Sequence, residues 1–380
     1  MNLNGNVAIA GIGQTEFSME SGRSELQLAA EASIAAIRDA GLTPADIDGT
    51  VTFFEDTNEE LQLQRSLGIE NIRWMVRSRL GGGSASATIQ IAAAAVASGA
   101  ANAVLVYRAF NERSGRRFGQ PMPTPGPPRR DFHFAFGLDT PAKIYALWYK
   151  RYMETYGISN EDLADYVITA RDYAATNPSA FYHGKPITKD DHQNSRWIVE
   201  PILRRLDCCL ESDGGVALIV TTKERARDLK QPLVPVLGMA QANVINGDIL
   251  FDYYRDDPGR FPEAMQVSKE LWNVTGLTPA DIDVAMLYEN FSPVVYMMLE
   301  AHGFVGPGEA RDFIKSGQLR IGGALPTNPN GGLLGEGYIH GYNNMTEAVR
   351  QMRGIAANQV RDAQTAFVSS GRSAFILGRD

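Results

Sequence analysis

The chain has 380 residues, 44% hydrophobic and 21% charged, with a formal net charge of -8, a length that suits two or three domain-sized units with a sizeable core. The acidic balance provides no general basic field, which argues against nucleic-acid binding by counterion release. The only cysteines, Cys208 and Cys209, are adjacent and the five histidines are scattered, so neither a disulfide framework nor a metal-ligand spacing is available and a reducing compartment is expected.

The N-terminal run MNLNGNVAIAGIGQTEF enters a strand pattern without a basic segment, a long apolar core or a cleavage site; no secretory leader is expected, and the cytoplasm is the expected location. SELQLAAEASIAAIRDA carries apolar residues three and four apart and predicts a helix. GLTPADID, from Gly41 to Asp48, then predicts one short capped turn, with threonine as N-cap and proline at the first helical position, and TVTFF predicts a strand. Gly81, Gly82 and Gly83 form a turn before a small-residue helix from Ser84 to Ser98, apolar nearly all round and so expected between layers; AVLVYRAF follows as a strand. The apolar stretch from Ile89 to Val106 is broken by Ser98, Gly99 and Asn102, which argues against a membrane span.

From about residue 111 to 200 prolines, arginines and aromatics predict an excursion of loops and helices. Strand signals return in GGVALIVTT and PLVPVLGMA, dividing the chain into halves at 1–231 and 232–380. In the second half EAMQVSKELWNV predicts a helix, GLTPADID recurs from Gly276 to Asp283, and VAMLY predicts a strand. The same motif between the same kinds of element marks a duplicated α/β chain.

Several segments resemble the thiolase superfamily. LDCCLESDGGVALIVT is similar to the end of the first half in sterol-carrier-type thiolases, NPNGGLLGEGYIHG to the glycine-rich loop that carries the thiolase histidine, and Tyr288-Glu289-Asn290-Phe291 to the NEAF-like motif. The resemblance implies a thiolase fold of two duplicated βαβαβαββ halves in a five-layer αβαβα arrangement, with a homodimer core. The departures are chemical. Where thiolases place the nucleophilic cysteine the sequence has Gly81 to Gly83, and where they place the histidine it reads Gly337-Tyr338-Ile339-His340-Gly341. With RAFNERSGRRFGQ, YHGKPITKDDHQNSRWIVEPI and YIHGYNNMTEAVRQMRG, this pattern resembles the bacterial steroid side-chain-cleaving aldolases of the lipid-transfer-protein type. That resemblance implies retro-aldol cleavage of a 17-hydroxy steroid side-chain CoA thioester, of the 17-hydroxy-3-oxo-pregnene-20-carboxyl-CoA type, to a 17-ketosteroid and propionyl-CoA. It further implies no cofactor beyond the CoA of the substrate, a heterotetramer with the OB-fold, zinc-ribbon domain of an acyl-CoA hydratase, and Tyr288 and Tyr338 as the catalytic pair.

A retro-aldol step needs a base for the hydroxyl proton, a site for the enolate and an acid that protonates carbon. It needs no acyl-enzyme, so loss of the cysteine is tolerable here and fatal to thiolysis. A phenol with a pKa of about 10 is ionised only to about a thousandth at neutral pH, a deficit of roughly 4 kcal/mol, so the tyrosines are expected to share a proton network tuned by Glu289, Asn290 or His340. Backbone N–H groups near Gly82, Gly83 and Gly371 are the expected oxyanion donors. Arg113, Arg116, Arg117, Arg129 and Arg130 either meet CoA phosphates or a partner, or form a solvated loop. Cys208 and Cys209 read as core residues. A catalytically silent acyl-CoA or sterol-binding scaffold stays open beside the aldolase; a thiolase is disfavoured.

Overall fold

The computed structural model describes residues 5–79, 81–121, 133–247 and 254–380. The first half runs β1 (Val7–Gln14), α1 (Glu25–Ala40), β2 (Gly49–Phe53), α2 (Glu60–Leu67), β3 (Trp74–Ser78), α3 (Ala87–Ala97) and β4 (Ala103–Asn111). An excursion holding α4 (Pro141–Tyr156), α5 (Asn160–Thr176) and the hairpin β5 (Trp197–Val199) and β6 (Leu203–Arg204) precedes β7 (Asp213–Thr222). The second half follows with β8 (Pro235–Gln241), α6 (Pro262–Thr275), β9 (Val284–Leu287), α7 (Pro293–Ala301), α8 (Tyr342–Arg353), β10 (Thr365–Ser369) and β11 (Ser373–Gly378).

The two GLTPADID segments fold alike. In each, the backbone N–H and hydroxyl of threonine donate to the aspartate three residues on, at 2.9 and 2.8 Å for Thr43 with Asp46 and at 2.8 and 2.7 Å for Thr278 with Asp281. Proline opens one 3₁₀ turn, where its missing N–H has no helical acceptor to lose. Strand order repeats as well. In the first half β1 is antiparallel to β7, β7 to β4, and β2 and β3 continue in parallel. In the second, β8 is antiparallel to β11, β11 to β10, and β9 continues in parallel. A parallel bridge between Ala285 and Thr327 stands where the first half has a whole strand, β3. The two sheets meet where Val7 pairs Val236 and Ala8 pairs Pro235, giving one nine-stranded order, β3-β2-β4-β7-β1-β8-β11-β10-β9.

Three cores separate five layers. Leu28 and Ile37 of α1 pack on Tyr107 and Ile219 on the outer face of the first sheet. Ile89 and Val96 of α3 and Met345 and Val349 of α8 lie between the inner faces, against Val106 and Val368. Val267, Leu271 and Met297 of α6 and α7 cover Phe367 on the outer face of the second sheet. Enclosure on both sides is why α3 lacks a polar face. Its start differs from the expected Ser84: Gly82–Ser84 is a 3₁₀ turn and the α-helix begins at Ala87. The Ser86 N–H and hydroxyl bind the Ser370 hydroxyl at 3.1 and 2.7 Å, which draws this first turn towards the second half. Among the described residues, no helix is long and apolar enough to cross a membrane.

Candidate active site

Tyr288 follows β9, and its N–H donates to the Ser369 carbonyl at 2.9 Å, so the sheet fixes its backbone. Tyr338 is carried by the glycine-rich loop, which a buried polar network holds. Asn328 accepts the Leu287 N–H through Oδ1 and donates through Nδ2 to the Leu287 carbonyl and the Tyr166 hydroxyl, each at 2.8 Å. Asn330 and Asn343 donate to Glu336 at 2.6 and 2.9 Å. The Tyr338 N–H itself donates to the Ser212 hydroxyl at 2.9 Å. A buried network of this kind rigidifies what it carries. The two buried hydroxyls end 2.7 Å apart.

Of the run Gly81 to Gly83, Gly82 stands against the phenol pair. A Cβ on Gly82 would lie 2.5 Å from the Tyr288 hydroxyl oxygen and 3.3 Å from His340 Cδ2. The phenol therefore occupies the room of the side chain that Gly82 lacks. Burial pushes both phenols well above their usual range; the hydrogen bond from Tyr338 opposes this at Tyr288, whereas proximity to Tyr288 adds to it at Tyr338. The resting pair is neutral and shares one hydrogen bond, and a proton passing between the two need not enter water.

His340 reaches the same spot from the loop, in a left-handed conformation with φ of 50°. Its ring lies 4.7 to 5.4 Å from those of Phe53, Phe110, Phe118 and Tyr338. Burial, then the Arg108 guanidinium, depress its pKa well below the usual histidine value. Nδ1 is buried without a partner among the described residues, and Nε2 lies 3.7 Å from Glu55. Asn290 lines the same cavity.

Glu289 points elsewhere. It accepts the Leu333 N–H at 2.7 Å, and burial raises its pKa to about 8. A Cβ on Gly332 would lie only 1.6 Å from its Oε1, so glycine is needed there on grounds of space as well as of its φ of 59°. Glu289 thus holds the loop that presents Tyr338. Gly371 is likewise not delivered as expected: its N–H donates to the Ser369 hydroxyl at 2.9 Å, so that amide is already engaged. The N–H groups of Gly82 and Gly83 have no acceptor among the described residues.

The tyrosines face a cavity of about 530 Å³ whose mouth carries Arg113, Arg116 and Arg117. Arg113 and Arg117 share Glu211, the latter through Nε at 2.7 Å, and Arg116 stands over Phe118. Arg129 and Arg130 lie outside the described residues. Arg196 and Arg205 join the rim from the excursion, with Arg171 buried in the lining over the Tyr182 ring, where the sequence reading singled out no arginine beyond 130. Cys208 and Cys209, expected in the core, pack half-buried against it and also line the cavity; burial raises both thiols, which removes them as nucleophiles at ordinary pH. Glu112, also missed, is a buried carboxyl in the lining, at the end of a strand-like run whose only signal was an acid after apolar residues. Beyond Tyr288 a second hollow of about 50 Å³ is walled by Tyr145, Trp148, Tyr149, Phe261, Met297 and Met298. Among the described residues no group of three or more His, Cys, Asp or Glu could hold a metal.

Comparison with known proteins agrees with this architecture. Residues 254–375 match the family described as thiolase C-terminal domain-like. The chain is 49% identical to the steroid side-chain-cleaving aldolase of Thermomonospora curvata, covering 100% of this chain and 99% of that protein. It is 48% identical to the 17-hydroxy-3-oxo-4-pregnene-20-carboxyl-CoA lyase of Mycobacterium tuberculosis, covering 99% and 100%. A solved structure described as an Ltp2-ChsH2(DUF35) aldolase superposes with a TM-score of 0.94 at 48% identity, covering 100% of this chain and 99% of that one. Human mitochondrial 3-ketoacyl-CoA thiolase shares the fold, with a TM-score of 0.69 at 15% identity and full coverage of both chains. The chain belongs to the family of these steroid side-chain-cleaving aldolases and has the thiolase fold.

Proposed function

We propose that this chain catalyses retro-aldol cleavage of a 17-hydroxy steroid side-chain CoA thioester, releasing a 17-ketosteroid and propionyl-CoA. The observation that carries the reading is the Tyr288–Tyr338 hydroxyl pair, 2.7 Å apart in the space beside Gly82. As the carbon–carbon bond breaks and its electron pair moves onto the thioester, one phenol accepts the 17-hydroxyl proton and passes its own across the shared hydrogen bond to the other, whose proton goes to the α-carbon, so both phenols end neutral as they began. The neutral phenols are proton carriers rather than standing bases, which suits a step whose proton count closes within the site. The N–H groups of Gly82 and Gly83 serve as enolate donors. Asn290 and neutral His340 orient the substrate, and Glu289 positions the Tyr338 loop. Arg113, Arg116 and Arg117, with Arg171, Arg196 and Arg205, receive the CoA phosphates.

The named relatives support the substrate class, and the solved Ltp2-ChsH2(DUF35) aldolase, a pairing of two proteins, supports a partner chain. We take that partner to be the OB-fold, zinc-ribbon domain of an acyl-CoA hydratase, on a homodimer core in which β3, an edge strand with exposed Met75, meets its copy. The halves divide at 231/232, between β7 and β8.

The test is release of propionyl-CoA and 17-ketosteroid by the chain co-expressed with its partner. Tyr288→Phe and Tyr338→Phe are each expected to lower kcat by about 100-fold or more with unchanged melting behaviour. A wild type that binds acyl-CoA tightly yet releases neither product would instead be a silent scaffold.

A further inference from the structure

Glu112 is the one acidic side chain in the cavity lining that is buried from solvent, at 1% exposure, and its Oε2 has no hydrogen-bond partner among the described residues. An unpaired buried carboxyl oxygen costs stability unless something supplies a partner. The neighbouring cations are already committed. Arg108 is bound to Asp56 at 3.1 Å, and Arg113 and Arg117 share Glu211. The other titratable groups lining the cavity include Glu55, Arg116, Cys209, Tyr288, Tyr338 and His340. A negative charge on Glu112 would therefore stand in an apolar setting beside a second carboxylate, Glu211. Burial, then Glu211, push its pKa well above the carboxylic range, against weaker pulls from the Phe118 amide, Arg108 and Arg117.

Glu112 lines the same cavity as Arg113, Arg116 and Arg117. Among the groups acting on Tyr338 is Glu112, and the aromatic hollow beyond Tyr288 includes neither residue. Glu112 shares this cavity with Arg113, its neighbour in the chain, and with Arg117, so with the CoA phosphates on these arginines the thioester carbonyl is the polar substrate atom nearest this wall.

We infer that the Glu112 carboxyl, as an acid, donates a hydrogen bond to the thioester carbonyl oxygen of the substrate, the atom on which negative charge gathers when the carbon–carbon bond breaks. This rests on the retro-aldol reading above. Glu112 keeps its proton throughout: the electron pair of the broken bond moves to the thioester, the hydroxyl proton goes to the tyrosine pair, and the pair reprotonates carbon. The donor acts in a low-dielectric site, where such bonds gain most as charge develops.

The experiment compares wild type, Glu112→Gln and Glu112→Leu, each with its partner, by kcat, KM and melting temperature. The glutamine amide remains a neutral donor, so Glu112→Gln is expected to lose less than about tenfold in kcat, whereas Glu112→Leu loses about 100-fold with little change in KM. Loss in both variants alike would identify an ionised carboxylate and overturn the inference, as would full activity in Glu112→Leu. An infrared difference spectrum of wild type minus Glu112→Gln at neutral pH reads the acid without turnover: the C=O band of a protonated carboxyl supports the inference, and a carboxylate band overturns it. A folded wild type that cleaves no hydroxy-steroid thioester overturns the retro-aldol reading, and this role with it.

Discussion

At the residue scale, the chemistry turns on atoms that are missing as much as on those present. Gly82 leaves room that the Tyr288 hydroxyl fills, with 2.5 Å between that oxygen and the place of a Cβ. Real Cβ atoms do not approach an oxygen so closely, so Gly82→Ala must displace Tyr288 and lengthen the 2.7 Å bond to Tyr338. We expect the variant to stay folded, because the clash meets the end of one side chain, and to lose kcat by about as much as Tyr288→Phe, about 100-fold or more. Turnover together with a melting curve checks this; near-normal kcat would show that the phenol does not work from this position. The sequence showed this much only in part. It identified the tyrosines and the glycine run, but not that one glycine and one phenol exclude each other, because residues 82 and 288 meet only where the 3₁₀ turn before α3 comes against the segments that follow β9 and β10.

At the scale of elements, the duplicated turn provides an internal control. Hydrogen bonds from Thr43 hold Asp46 below the usual carboxylate range, the backbone bond first, and those from Thr278 do the same for Asp281, the hydroxyl bond first. A depressed carboxyl contributes stability that is present above its unfolded pKa and fades as pH falls through its folded pKa. Asp46→Asn and Asp281→Asn should therefore each lower the melting temperature at pH 7, and by less at about pH 4, within the carboxylate range. Asp46→Asn should cost slightly more, since Asp46 also meets Arg225 at 3.0 Å in an exposed pair. Melts at the two pH values decide it, and a loss that grows on acidification would refute the assignment. This element was fully legible, because its hydrogen bonds are local. The hairpin of β5 and β6 and the rim arginines of the excursion were not. Their meaning depends on which surface the excursion covers, and no short-range pattern encodes that.

At the scale of the whole molecule, the site is a joint between halves. Gly82 and Glu112 come from the first, Tyr288 and Tyr338 from the second, and the Arg372 N–H donates to the Gly83 carbonyl at 3.0 Å across them. A ligand that spans the cavity touches both halves and should stabilise them together; at a hundredfold excess over Kd the gain is about 2.7 kcal/mol. CoA is thus expected to raise the melting temperature of the complex. Arg196→Ala and Arg205→Ala, which remove rim cations unpaired with any carboxylate among the described residues, should weaken CoA binding severalfold and flatten its salt dependence, with kcat little changed. Calorimetric titration at two salt concentrations reads both effects, and unchanged affinity would assign these arginines to a protein partner.

The shared space beside Gly82 also bears on how such a site changes its trade. Restoring a thiol with Gly82→Cys places sulfur where the Tyr288 phenol already stands, and trimming Tyr288 alone leaves a gap with no nucleophile in it. Neither single step gives both a nucleophile and the room it needs. The two chemistries are separated by at least two substitutions, so the fold is held in its present activity by occupancy, much as a lock with a key broken off inside admits no second key.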